Sequence, residues 1–351
     1  MKFIHIADVH LGMVPDQGKP WSEKRSKELY ESFFEVIERC NQQSIDLLLI
    51  AGDLFHRQPL LRELKEVNYY FSKLTHTKVV LIAGNHDYIG EHSRYREFHW
   101  CEQVIFLGTK ELQKIYIPEV STTVYGFSYH QRDITEPIYD AAVPSKGNGF
   151  HILLAHGGDE KNVPMNRKLI DMAGFDYVAL GHIHKSERLG KAMAYAGSLE
   201  PLDRNETGNH GYILGELSGN LQSHITFVPC SKRQYFHLEI EVDQDMVKGS
   251  VIDVIKEHMN RLGKQHIYKI ILAGIRDPEV VFLESDFLII GNVVEVQDNT
   301  IPDYDFERLQ YQNRDNMIGM FIDAIRTCGE KDEIADKALY YGMEALLKKT
   351  K

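Results

Sequence analysis

The sequence predicts an α/β (α+β) protein: a sheet with helices packed against it, a second sheet packed on the first, then a smaller α/β unit and a helical tail. Three observations carry this. Short aliphatic runs alternate with stretches of helical periodicity in the N-terminal part, the pattern of strands covered by helices. Several runs stop at Gly or Ala and give way at once to Asp, Asn or His, which puts polar chemistry at strand ends, where α/β folds place it. From Val104 onward strand signals dominate, until the character changes near residues 229–233.

Residues 2–7 form the first strand, and Asp8 and His10 follow it two positions apart, on one side of extended backbone. His5, inside the strand, reads as core or as support behind the site. Residues 21–43 are an amphipathic helix with Leu29, Phe33, Val36, Ile37 and Cys40 on its core stripe and Ser22 as its cap. Residues 46–51 make a second buried strand, running into Gly52, Asp53 and His56. Pro59 precedes a helical stretch to about Leu74, and the run from Val79 is a third buried strand. It stops at Gly84, which lets the backbone turn sharply, and delivers Asn85, His86 and Asp87 in succession.

Residues 93–100 read as a short helix, 104–126 as strands with turns, and 132–150, with two prolines and two glycines, as an irregular loop. Residues 151–155 are a strand ending in His156, and 176–180 a strand ending in Gly181, His182 and His184. Strands at 193–196, 211–217 and 224–228 complete a β-rich stretch that predicts the second sheet. A strand at 235–242, a helix at 246–262 and a strand at 267–273 predict a separate α/β unit. Residues 299–305 read as a linker, and 314–327 and 332–347 as amphipathic helices. The predicted domains are therefore 1–230, 235–298 and a helical segment, 306–351.

A chain of 351 residues supports two or three such domains. Its net charge of -11 argues against a polybasic nucleic-acid coat, although divalent metals in a carboxylate-lined site would still attract DNA. No apolar run approaches membrane-spanning length, so no membrane partner is expected. The first strand begins right after Met1 and leaves no room for a signal peptide. Cys40, Cys101, Cys230 and Cys328 are scattered, with no C-x-x-C pair, which fits free thiols in a reducing cytoplasm.

Five strand exits thus deliver Asp8 and His10, Asp53, Asn85 with His86, His156, and His182 with His184. These are oxygen and imidazole donors without a thiolate, which favours manganese, iron or zinc over a soft metal. They are too many for one tetrahedral ion and suit a pair sharing a carboxylate, an arrangement that activates water and clamps phosphate oxygens. A single His here could be core or surface; the repeated placement after buried strands is what points to a site.

In this order, D-x-H, G-D-x-x-H, G-N-H-D, H-G and G-H-x-H over residues 8–184 resemble the signature of the calcineurin-like metallophosphoesterases. The forms around Asp8, Asp53 and His182, with Tyr195-Ala-Gly-Ser198 following, resemble the SbcD and meiotic-recombination nuclease branch, and more finely its shorter YhaO-like bacterial members. The G-D-Y-V-D-R-G form of the protein phosphatases is absent.

The resemblance implies a four-layer αββα sandwich and two divalent metal ions, Mn²⁺ as the first choice and iron, zinc or magnesium as the alternatives to it. It implies that Asp8, His10, Asp53 and His184 hold one ion and that Asp53, Asn85, His156 and His182 hold the other, with Asp53 bridging. His86 would face the scissile phosphate as proton donor or charge stabiliser, and His56 would lie near that phosphate. Asp87 would either orient His86 or serve the fold.

The implied activity is that of a DNA nuclease, exonuclease and also endonuclease, working in repair or end processing with an SbcC-like (SMC-type) ATPase. The alternative on the same site is a small phosphodiester or cyclic-nucleotide phosphodiesterase. A capping domain is implied for the unit from residue 235 by position only, and a homodimer through residues 59–74 or 93–100 by family likeness. The apolar faces of the last two helices, Met317, Met320, Phe321 and Ile325, then Ala338, Tyr341 and Leu346, either dock the ATPase or close this chain's own core.

Overall fold

The computed structural model describes residues 1–147, 149–218, 222–329 and 331–347. The chain forms two compact units, Met1–Tyr235 and Phe236–Lys351. In the first, β1 (Lys2–Ile6), α1 (Ser22–Gln42), β2 (Leu47–Ala51), α2 (Leu61–Phe71), β3 (Lys78–Ile82) and β4 (Val104–Phe106) come in the alternating order expected of a covered sheet. There follow β5 (Gln113–Ile117), β6 (Thr122–Gly126), β7 (Phe150–His156), α3 (Arg167–Ala173), β8 (Tyr177–Gly181), β9 (Glu187–Arg188), β10 (Met193–Tyr195), β11 (Gly211–Ser218) and β12 (Gln222–Pro229).

These strands make two six-stranded sheets, β12-β11-β1-β2-β3-β4 and β5-β6-β7-β8-β10-β9. The pleat explains the aliphatic runs. Along β2, Leu48 and Ile50 enter one core with Phe33, Val36 and Val67 of the helices, whereas Leu47, Leu49 and Ala51 enter a second core with Ile152, Leu154 and Tyr177 of the other sheet. The far face of the second sheet buries Leu153, Val178 and Leu180 with Tyr129, Tyr139 and Ile170, the last from α3. The result is two packed sheets flanked by helices.

Ser22 is the first residue of α1 and not its cap; that position falls to Trp21, whose indole donates to Asp16 at 2.7 Å. Residues 93–100 form only a three-residue 3-10 turn, Arg94–Arg96. Tyr95 is buried there with its hydroxyl on Asp87, and extended chain beyond it lets Phe98, Trp100 and Phe106 pack edge against ring. In the irregular stretch 132–150, a turn at Ile138–Ala141 buries Tyr139, and residue 148 lies outside the described residues.

One expectation about the sheets is corrected. β11 and β12 do not join the second sheet; they return antiparallel to β1 and extend the first. Gly215, opposite Phe3, explains the fit: a Cβ there would stand 2.1 Å from the Phe3 ring. The second sheet is instead built from the middle of the chain.

The second unit contains β13 (Tyr235–Val242), α4 (Lys248–Leu262), β14 (Ile267–Arg276), α5 (Glu284–Leu288), β15 (Val293–Asp298) and β16 (Ile301–Pro302). The sheet order is β13-β14-β15, with β16 also on β14. The expected linker at 299–305 thus carries a short strand, because Ile301 and Pro302 pair with Ile275 and Arg276. The helices α6 (Phe306–Gln312), α7 (Met317–Thr327) and α8 (Asp332–Leu347) follow. α7 starts later than its periodicity predicts because Asn316 caps it, accepting from Ile318 N at 2.9 Å. Ile322, Leu339 and Met343 bury together, whereas Met317, Met320 and Tyr341 are exposed. Residues 348–351 of the expected helical segment lie outside the described residues.

Candidate metal centre

The C-terminal ends of β1, β2, β3, β7 and β8 meet at one place, and the backbone there is laced before any side chain is considered. Asp8 N donates to Gly52 O at 3.2 Å, His10 N to Asp53 O at 3.1 Å and His56 N to Leu11 O at 3.1 Å, zipping two strand exits together. Asp8, His10, Asp53 and His182 all hold positive φ, of 49°, 51°, 49° and 97°. Non-glycine residues rarely adopt that region, so four of the predicted site residues are held in costly backbone conformations by the loops around them.

Asp53 is the centre of the arrangement. Its Oδ2 lies 3.8 Å from His10 Nε2 and 3.5 Å from His156 Nε2, while Oδ1 accepts from His86 N at 2.9 Å. Asp8, His10 and His184 offer ligand atoms within 4.8 Å of one another, as do Asp8, Asp53 and His156, and also His10, His56 and His86. Asn85 reaches the centre through His156, its Oδ1 lying 2.9 Å from Nε2. His182 approaches from its backbone, whose N–H donates to Asp8 at 2.9 Å, with its ring 5.3 Å from that of His156.

The donor chemistry fits divalent cations. His156 Nδ1 donates to Ala51 O at 2.8 Å, so Nε2 is the ring atom that faces the Asn85 oxygen; once Nε2 gives up its proton, two acceptors are turned towards each other and suit a cation. Likewise His184 Nδ1 lies 2.7 Å from Glu206 Oε1, leaving Nε2, 3.1 Å from His10 Nε2, as the free donor atom. Two such clusters, Asp8 with His10 and His184 and Asp8 with Asp53 and His156, share Asp8 and make a candidate dinuclear site.

The electrostatics agree. Burial pushes the Asp53 carboxyl up, but His156 and then His10 override it and hold the group well below the usual range. Burial would strip His156 of its proton, yet Asp53 beside it raises its pKa to about 9. Glu206 and Asp8 do the same for His184, again to about 9. Buried carboxylates thus draw positive charge onto His156 and His184, whereas burial lowers His10, His182 and His56, and the field of the carboxylates would hold metal ions.

His86 and His56 flank the centre half-buried, their rings stacked at 5.1 Å. His86 Nδ1 is 3.1 Å from the His56 carbonyl, which only accepts, so Nδ1 donates and Nε2 is left as the second proton-handling atom. Asp87 is fully buried and accepts from Gly84 N at 2.8 Å, Phe55 N at 3.2 Å and Tyr95 OH at 2.9 Å. These bonds tie the exits of β2 and β3, and the His86 ring is bonded elsewhere. His5 is buried, 2.9 Å from the Tyr177 hydroxyl.

Reading the sequence missed two carboxylates, Glu206 and Asp159, the latter 2.7 Å from His182 Nε2. Both are acids in loops, and no spacing marks them. It also missed Tyr129, whose hydroxyl donates to His156 O, and Tyr139, which accepts from His156 N, each at 3.0 Å.

Two packed sheets with a dinuclear donor cluster at their strand ends define a metallophosphoesterase, and the family model for calcineurin-like phosphoesterase matches residues 1–186. The chain belongs to that family and is an enzyme of the metallophosphoesterase fold. Relatives that the chain resembles are named as Mre11 and SbcCD proteins. It is 32% identical over 241 residues to the DNA double-strand break repair protein Mre11 of Methanocaldococcus jannaschii, a match covering 63% of each chain. It is 30% identical over 248 residues to the metallophosphoesterase YhaO of Bacillus subtilis, covering 63% of this chain and 60% of that one. To a subunit of the SbcCD nuclease of Staphylococcus epidermidis it is 25% identical over 338 residues, covering 84% of this chain and 86% of that one. The chain therefore spans less than two thirds of the length of the first two relatives. Among the described residues no helix is long and apolar enough to cross a membrane.

Proposed function

We propose that this protein is a cytoplasmic, Mn²⁺-dependent DNA nuclease, an exonuclease that also cuts internally, acting in repair or end processing with an SbcC-like ATPase. The observation that carries the reading is the place of Asp53, between His10 and His156, with His86 hydrogen-bonded through its backbone to the same carboxylate. Relatives of this arrangement bear names of double-strand break repair and of a nuclease.

In this reading Asp8, His10, Asp53 and His184 hold one ion and Asp53, Asn85, His156 and His182 the other. Bound, the pair would supply an activated hydroxide and a clamp for the phosphate oxygens. His86, its Nδ1 engaged by the His56 carbonyl, presents Nε2 to protonate the leaving oxygen or stabilise the developing charge. His56 lines the same approach. Asp87 holds the loops that carry Asp53 and His86. Residues 1–230 are the nuclease domain, 235–298 a capping domain and 306–351 the segment for the ATPase, with a homodimer through the region of α2.

The test is cleavage of end-labelled duplex and single-stranded DNA with Mn²⁺, beside a panel of cyclic nucleotides. Mn²⁺-dependent shortening of DNA is expected. Protein replete with metal that leaves every DNA intact while opening a cyclic nucleotide would overturn the nuclease reading in favour of a small phosphodiesterase.

A further inference from the structure

One loop holds His184 from both sides. At its start, Ser198 N donates to the His184 carbonyl at 3.0 Å. At its end, Glu206 Oε1 lies 2.7 Å from His184 Nδ1, while Oε2 accepts from Leu202 N at 2.8 Å within the same loop. The approach at the start is so close that a Cβ on Gly197, at φ +77°, would stand 2.7 Å from both His184 O and Ser186 N.

The middle of the loop is fastened to α1. Glu200, nearly inaccessible, accepts from Arg25 Nη1 at 3.0 Å, Ser32 Oγ at 2.6 Å and Lys232 N at 2.6 Å. Arg25 also donates to the carbonyl of Pro201. A carboxylate on a loop pinned at three points has little freedom to leave the imidazole it faces. The other histidine of the same strand exit is held differently. His182 Nε2 meets Asp159, an exposed residue that is fixed only by its own turn, through Lys161 N and Asn162 N at 2.8 Å each.

We infer that Glu206 is a positioning residue: it fixes the tautomer and ring orientation of His184 so that Nε2 is the ligand atom, and it thereby sets the affinity of one of the two metal positions and not the other. Asp159, on Nε2 of His182 and with a looser support, leaves Nδ1 of that ring as the ligand atom and acts on the second position. A carboxylate behind a metal-bound histidine commonly changes affinity by 10–100-fold when it is lost, because it holds the ring and raises its basicity. The inference rests on the ligand assignment proposed above.

The experiment is a Mn²⁺ titration of the full chain by calorimetry, without substrate, for the wild type, Glu206→Gln and Asp159→Asn. Two binding events are expected in the wild type. Glu206→Gln should weaken one of them about 10–100-fold and leave the other in place, and Asp159→Asn should weaken the other. The amide cannot accept as a carboxylate does but fills the same space, so the metal-free melting temperature serves as the check on folding. If Glu206→Gln does not fold, Glu206→Asp is titrated instead, with the same selective weakening expected. Two unchanged events in the glutamate variant, or equal weakening of both, would overturn the role of Glu206. A wild type that binds no divalent ion would sink the metal-centre reading itself, so the two failures are distinguishable.

Discussion

Gly84 and Asp53 are packed so tightly that a Cβ on the glycine would stand 2.3 Å from the aspartate's Oδ1 and 2.8 Å from its backbone nitrogen. The glycine just beyond β3 leaves room for the Asp53 carboxylate. Gly84→Ala is therefore expected to push Asp53 off the line between His10 and His156, at about 1–3 kcal/mol of strain. Mn²⁺ binding measured by calorimetry should weaken at least tenfold. Gly249→Ala, where nothing lies within 4 Å and the residue is in α4, is the control and should be neutral or slightly stabilising. Equal metal affinity in the two variants would contradict the account.

Asp87 and His86 are neighbours with different expected phenotypes. Removing the Asp87 carboxylate strands three buried donors, on Gly84, Phe55 and Tyr95. Asp87→Ala should cost about 2–5 kcal/mol of stability, read as a lowered urea midpoint. His86→Ala removes a half-buried ring whose Nδ1 bonds a single carbonyl, and should leave the midpoint within about 1 kcal/mol while abolishing turnover. A stable Asp87→Ala that has lost only activity would instead make Asp87 part of the chemistry.

The five strand exits were legible because two signals coincide there: an aliphatic run buried on both faces, and a glycine or alanine at its end. In β2 the run from Leu47 to Ala51 is wholly inaccessible, and its shortness and the Gly52 that stops it separate a buried strand from a buried helix. What was not legible depends on partners far away in sequence. The pairing of β11 with β1 is decided by Gly215 meeting Phe3, and neither residue hints at the other. Glu206 and Asp159 look like any solvated loop acid until His184 and His182 are placed beside them. Residues 93–100 read as a short helix, but the bond from Tyr95 to Asp87 and the aromatic packing of Trp100 hold them otherwise. Whether α7 and α8 close a core was open for the same reason: Ile322 and Met343 turn inward while Met317 and Tyr341, on the same helices, do not.

His5 supplies a pH dependence that can be separated from the metal centre. Burial lowers its pKa from the ordinary 6.5 to about 3. The unfolded chain therefore takes up a proton in a range where the folded protein does not, so stability rises with pH across this window and is lost as pH falls from about 6.5 towards 3. The loss approaches about 1.4 kcal/mol per pH unit well inside the window. Urea midpoints for the wild type and His5→Gln, measured between these limits, should differ in slope, with the variant the flatter. Parallel curves would mean that the imidazole is protonated in the folded state after all.

Arg25 and Glu200 allow a prediction about how far the anchoring of the 198–206 loop depends on charge. Arg25 is wholly buried and bonded to Glu28, Glu200 and the Pro201 carbonyl. Arg25→Met leaves Glu200 without its cation in a place water does not reach, while Glu28 keeps the bond from Arg233 Nε at 2.9 Å, and breaking such a pair from one side costs about 3–5 kcal/mol. Removing both charges, in Arg25→Met with Glu200→Met, should recover part of that loss, because the surviving cost is packing and the orphaned bonds of Ser32 and Lys232, not an unpaired ion. Stability in urea would show the recovery. The Mn²⁺ titration should not recover with it, since the double variant frees the loop that carries Glu206 as surely as the single one does. A double variant restored in both stability and metal affinity would mean that the loop holds its shape without α1.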